Sequence, residues 1–158
     1  LVVLPLTALV GIIVNRYVGT PSLSTLLLFA VSTVMYITCF IMLAVIISML
    51  AKSTASSMML TIFIYLFITI LWLFIPLSYA HLTGIPVEMN LENKEFMIIS
   101  NRFDLFNPYG CYQLALATLS GNPELWIGVE AWMPWLSLIL WFFVPILVFF
   151  FLFMRMEF

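Results

Sequence analysis

The chain has 158 residues, of which 65% are hydrophobic and 8% charged, with a net charge of −2 and a mean hydropathy of +1.23. Soluble domains carry about 25% charged residues, so this composition excludes a water-soluble core. The small net charge supplies no basic surface for nucleic acid. The chain lacks the paired, spaced cysteines of a disulfide framework or a zinc site, having only Cys39 and Cys111.

Residues 1–14 form an apolar run with Pro5 near its start and no charge before Arg16. The run is short for a crossing, and neither a basic region before it nor a cleavage site after it marks a signal peptide. It is expected to be the end of a span in a chain cut from a longer protein. Residues 15–22 read as a loop, with Gly19 and Pro21 as breakers.

Between Arg16 and His81, only Lys52 carries a charge. The two uncharged stretches on either side of it are each long enough for the roughly 20 apolar residues that cross a bilayer core about 30 Å thick. They predict a helical hairpin, with spans over about 24–50 and 57–79. A lysine at mid-membrane costs about 2.5–3.5 kcal/mol, so Lys52 belongs in water at the turn. Ser22 or Ser24 can cap the first of these helices, and Ser53, Ser56 or Ser57 the second. Ala30, Ser32, Thr33, Thr38 and Ala44 suit close helix packing within a membrane, although each hydroxyl can equally bond back to its own helix. Cys39 reads as a small packing residue, and Pro76 falls where the third span is ending.

Residues 81–130 are hydrophilic and hold Glu88, Glu92, Glu95, Asp104, Glu124 and Glu130, with Lys94 and Arg102 as their permanent bases. The acids lack paired spacing and a histidine partner, so a solvated face is expected and neither a metal site nor an acid–base pair is indicated. Within this loop a short helix is predicted over about 108–120, with Asn107 as its cap and Pro108 at the first helical position. Tyr112, Leu116 and Leu119 fall on one face, which predicts a helix lying in the membrane interface. Trp126, Trp132 and Trp135 mark the entry into the headgroup layer, and the last span covers about 132–154, with Pro145 near its middle, where a proline is expected to kink it.

The fold class is therefore all-α, a polytopic transmembrane helical bundle with a short interfacial helix in its long loop. Lys52 and Arg155 share one side; Arg16, Lys94 and Arg102 share the other. That distribution does not orient the chain by the positive-inside rule.

Two segments resemble the membrane subunits of ATP-binding-cassette transporters of the ABC-2 type. The hairpin turn over 46–59, where Ile47-Ser48 meets Lys52 and a run of small residues, looks like the short cytoplasmic turn of that family. The sequence Asn107-Pro108…Tyr112, followed by Trp141…Pro145 and a basic end at Arg155, is similar to the family's N-P-x-x-x-Y helix and last span. The resemblance implies an exporter permease in the plasma membrane, spans three (cut) to six of a six-span subunit. Residues 51–57 and the C-terminus would be cytoplasmic and residues 81–130 extracytoplasmic. It further implies a dimer of such subunits served by a separate cassette ATPase.

No phosphate-cradling Gly-rich loop is present, so ATP as a cofactor falls to the partner chain, and no catalytic, cofactor or metal residue is expected here. The absence of acids and bases from the spans argues against ion coupling. Lys52 is the candidate coupling turn, and Asn107, Pro108 and Tyr112 are the candidate outer gate. The alternative is a non-transport membrane anchor or assembly module that binds a partner through its outer loop.

Overall fold

A computed structural model describes residues 22–85 and 93–156. The expected truncated span over 1–14, the loop over 15–21, Glu88, Glu92 and Glu157 lie outside the described residues. Six α-helices and no strand form among those described: α1 (Leu23–Leu50), α2 (Thr54–Thr69), α3 (Phe74–Leu82), α4 (Lys94–Asp104), α5 (Pro108–Leu119) and α6 (Trp132–Met156). Short 3-10 turns precede α3 and α6. Helices α1 and α6 are each long and apolar enough to cross a membrane, and α2 joined to α3 qualifies as a third, bent crossing.

Local chemistry sets most of the helix boundaries. Ser22 caps α1 by accepting from the Thr25 amide at 3.2 Å. Ser53 caps α2 in the same way, from Ser56 at 3.2 Å. Two helices separated by only Ala51-Lys52-Ser53 must fold back on each other, and Lys52 is exposed at the tip. The hairpin is held by facing residues such as Phe40 and Tyr65, whose rings meet edge-on at 5.7 Å.

The third predicted span is not one straight helix. It breaks after Thr69, passes through a 3-10 turn at Leu71–Leu73, and resumes as α3 with a 44° bend. Pro76 supplies the physical reason. It has no amide to donate to the carbonyl four residues earlier, and its ring crowds that turn, so the helix restarts at Phe74 with Pro76 in its first turn.

Pro145 does not have this effect on α6, which continues as helix from Trp132 to Met156. Helices α4 and α5 form a second hairpin that turns at Leu105–Asn107. Two bonds hold α4 near the start of α6: Asn101 Nδ2 donates to the Ile127 carbonyl at 2.9 Å, and Arg102 Nε donates to that of Gly128 at 3.3 Å. The turn itself is level with Ser137, whose hydroxyl donates to the Leu105 carbonyl.

The two short helices touch at Gly110. A Cβ placed there would lie 2.6 Å from the Asp104 Cβ and 2.8 Å from its Cα. Backbone and a first side-chain carbon cannot swing aside, so Gly110→Ala is an overpacking change costing about 1–3 kcal/mol. Thermal unfolding in detergent should show a lowered midpoint for Gly110→Ala, although alanine is the better helix former by about 0.5–1 kcal/mol; an unchanged or raised midpoint for Gly110→Ala would disprove the close contact.

Candidate functional site

The α4–α5 hairpin meets the break between α2 and α3, and Asn107 is where they join. Its side chain is 1% exposed and uses both ends. Oδ1 accepts from the Tyr109 amide at 3.0 Å and caps α5, while Nδ2 donates to the Ile68 carbonyl at 2.8 Å, in the last turn of α2. Pro108 follows at the first helical position, where a missing amide costs nothing, and is itself buried.

Helix α5 then packs between α1 and α6. Its buried residues are Pro108, Gly110, Cys111, Leu114 and Ala115, with Cys111 and Ala115 meeting Leu138 of α6 in the core. Tyr112, Leu116 and Leu119, the residues expected at the membrane interface, lie beside this buried set and are only partly covered. The residues that fit against α1 and α6 are mostly small rather than large. Burial pushes the Cys111 thiol up to about 12 and keeps it an uncharged packing group.

Tyr112 lies at the side of this contact and reaches α1. Its ring stacks on Tyr36 with centroids 4.5 Å apart and planes at 15°, and its hydroxyl pairs with Thr33 Oγ1 at 3.1 Å. Thr33 also donates to the Phe29 carbonyl of its own helix at 2.7 Å, so both readings of that hydroxyl hold. Tyr36 continues through Phe40, at 4.9 Å, to Tyr65 of α2. This ring series runs across the middle of α1. About fourteen residues, roughly 21 Å at 1.5 Å per residue, separate Tyr36 from the end of α1 at Leu50.

Lys52 stands at the opposite end of the hairpin, and the structure does not bring it near Asn107, Pro108 or Tyr112. The four candidates thus form two places in the fold: an exposed lysine turn, and a buried joint that links α1, α2 and α5.

Asp104 departs from its expected role. Glu95, Glu124 and Glu130 are exposed, as a solvated face requires, but Asp104 is partly buried against Gly110 and the Trp72 indole. Burial raises its carboxyl to about 6, opposed in part by Trp72. A low-resolution signal did exist in the sequence: Asp104 lies three residues before the cap of a helix whose third position is glycine. Among the described residues, no group of three metal-binding side chains occurs.

A helical bundle whose exposed surface is leucine, isoleucine and phenylalanine, and whose joints are small or amide residues, is an integral membrane protein. The chain matches the family model for ABC-2 family transporter proteins over residues 1–158 and belongs to that family, as a membrane permease of an ABC transporter. Permeases of this family generally work with a cassette ATPase. No curated protein and no solved structure matches the chain.

Two outcomes test the joint. Asn107→Ser keeps a capping oxygen but is too short to reach Ile68, and the unpaired buried carbonyl should cost about 1–3 kcal/mol. Asn107→Ala also loses the cap and should cost about 1 kcal/mol more. Equal unfolding free energies for the two variants and the parent would show that the amide bridge is energetically idle.

The raised Asp104 pKa has a definite sign. An acid that is harder to ionise in the fold than in the unfolded chain imposes no penalty below about pH 4, where both forms are protonated. The penalty grows as pH rises through about 6 and stays thereafter. The unfolding midpoint should therefore fall between pH 4 and pH 7, and Asp104→Asn should remove that component, measured by the same thermal scans.

Proposed function

We propose that this chain is the membrane-spanning subunit of an ATP-driven exporter in the plasma membrane. Two copies would line the translocation path, and a separate cassette ATPase would supply the energy. The single observation that carries this reading is the family match over residues 1–158. The placement of the candidates supports it: the two ends of the α1–α2 hairpin offer different chemistry. At one end the exposed Lys52 is available to an acidic surface or to phosphates. Towards the other, Asn107, Pro108 and Tyr112 couple α5 to the bent crossing and to α1.

In this reading the ATPase sits at the Lys52 turn. Nucleotide binding would favour one arrangement of the membrane dimer over another, as a ligand must to shift any conformational equilibrium. Helix α5 would form part of the outer gate. Its movement would pivot about the Asn107–Ile68 bond and slide Tyr112 along the Tyr36 ring. A stacked pair suits such a role, since an offset ring contact tolerates sliding better than a bond of fixed length. The ionisable residues of the spanning helices, His81 and Arg155, stand in the last turns of their helices and leave the lengths between without an acid or base for an ion route, which favours energy drawn from the partner chain.

The test is co-expression with a cassette ATPase in proteoliposomes. The permease should co-purify with it and stimulate ATP hydrolysis. Lys52→Glu should reduce that stimulation severalfold while leaving membrane insertion intact, and Tyr112→Ala should reduce substrate export more than ATPase coupling. Absence of both complex and stimulation would instead favour an anchor or assembly module.

A further inference from the structure

A groove on the outside of the α4–α5 hairpin has the shape and polarity of a phospholipid. Its apolar part is a cavity of about 440 Å³ along one side of α6, lined by Phe106, Trp132, Leu136, Leu140, Trp141 and Val144. A second cavity of about 580 Å³ continues it towards the start of α6 and shares Leu105, Phe106 and Met133 with the first. This upper part is different in kind, because Arg102 and Glu130 line it. Two opposite charges thus stand at one end of an oily trough.

The charged end is arranged to receive a headgroup. Arg102 spends only Nε on the Gly128 carbonyl, so its terminal nitrogens make no bond among the described residues. A guanidinium so held presents a forked donor that matches phosphate oxygens. Glu130 accepts from the Trp132 indole at 2.5 Å through one carboxylate oxygen, which fixes the carboxylate and leaves the other oxygen for a cation. Gly128 makes the approach possible: it adopts φ +81°, and a Cβ there would lie 2.6 Å from Ile98. The 127–128 turn therefore sits close against α4, where Arg102 can reach it.

The length also fits. Trp132 and Val144 are twelve residues apart on α6, about 18 Å at 1.5 Å per residue, against a single leaflet of about 15 Å, half the hydrocarbon core. Trp132 at the charged end marks the headgroup level, where tryptophan concentrates. Phe106, at the tip of the α4–α5 turn, is 71% exposed and forms the wall opposite α6.

We propose that this groove binds one zwitterionic phospholipid of the bilayer, with an ammonium-bearing headgroup. Arg102 holds the phosphate, Glu130 the ammonium, and an acyl chain lies along α6 between Leu136 and Val144. The lipid would pack against the outer side of the joint that Asn107 closes from within. The site is independent of the exporter reading, because it requires neither ATP nor a cassette partner.

The test is native mass spectrometry of the full-length protein with added phosphatidylethanolamine, phosphatidylglycerol and diacylglycerol of matched acyl chains. Phosphatidylethanolamine should be retained best. Arg102→Gln should reduce its retention about tenfold, a typical loss for one charge-assisted contact to phosphate. Glu130→Gln should abolish the preference over phosphatidylglycerol. Leu140→Trp leaves both charges in place and fills the trough, so it should displace the lipid even if Arg102→Gln disturbs the 128 turn. Equal retention of all three lipids by the parent, or retention unaffected by both Leu140→Trp and Arg102→Gln, would overturn the proposal. So would a disulfide between copies at Leu140→Cys, which would place a second subunit over the groove. Because ATPase stimulation plays no part, failure here leaves the transport reading untouched.

Discussion

The fold depends on one buried amide. Where α2 ends at Thr69 the helical bonding pattern is interrupted, and in a bilayer no water is at hand to satisfy a freed carbonyl. Asn107 Nδ2 meets the Ile68 carbonyl at 2.8 Å, and its Oδ1 meets the Tyr109 amide at 3.0 Å. Asparagine suits both tasks because it carries a donor and an acceptor on one short planar group. Serine lacks the reach, and aspartate lacks the donor. A bent crossing and a short inserted helix, each unstable alone in lipid, therefore satisfy each other.

The remaining contacts follow from that joint. With the start of α5 fixed at the α2 break, Gly110 must pass Asp104 closely and Tyr112 must face α1, where Tyr36 and Thr33 receive it. Further along, the Trp135 indole donates to Thr118 Oγ1 at 3.0 Å and ties the end of α5 to α6. The hairpin is thus fastened at its turn and at both arms. Asp104 is caught within it, and its burial is a consequence of the Gly110 contact rather than of any local apolar sequence.

Sequence made the long elements legible for a simple reason. An uncharged run of the length of α1 or α6 has few alternatives to crossing a membrane, and the charge at Lys52 can only be a turn. The start of α5 was legible too, because Asn107-Pro108 fits the geometry of a helix entry whatever surrounds it. The break at Ile70 was not. A proline near the end of a predicted helix is compatible with simple termination, and only the tertiary partner at Asn107 allows the chain to resume and continue as α3. Asp104 was hidden for the same reason, since its burial depends on a glycine in the next helix.

The packing face of α5 follows a more general rule. In water, large apolar residues mark the buried side of a helix; in lipid that rule reverses, because the solvent is itself apolar. Here the buried set includes Ser32, Thr33, Cys39, Asn107, Cys111 and Ala115, while Leu147, Phe151 and Phe106 are exposed. Tyr112, Leu116 and Leu119 are only partly covered, whereas Cys111 and Ala115 are the residues that let the helices approach. The informative pattern in such a chain is the stripe of small and amide residues. On α1 it passes through Ser32, Thr33 and Cys39, which is also where α5 docks, so the residues that permit close packing are the ones that locate the joint.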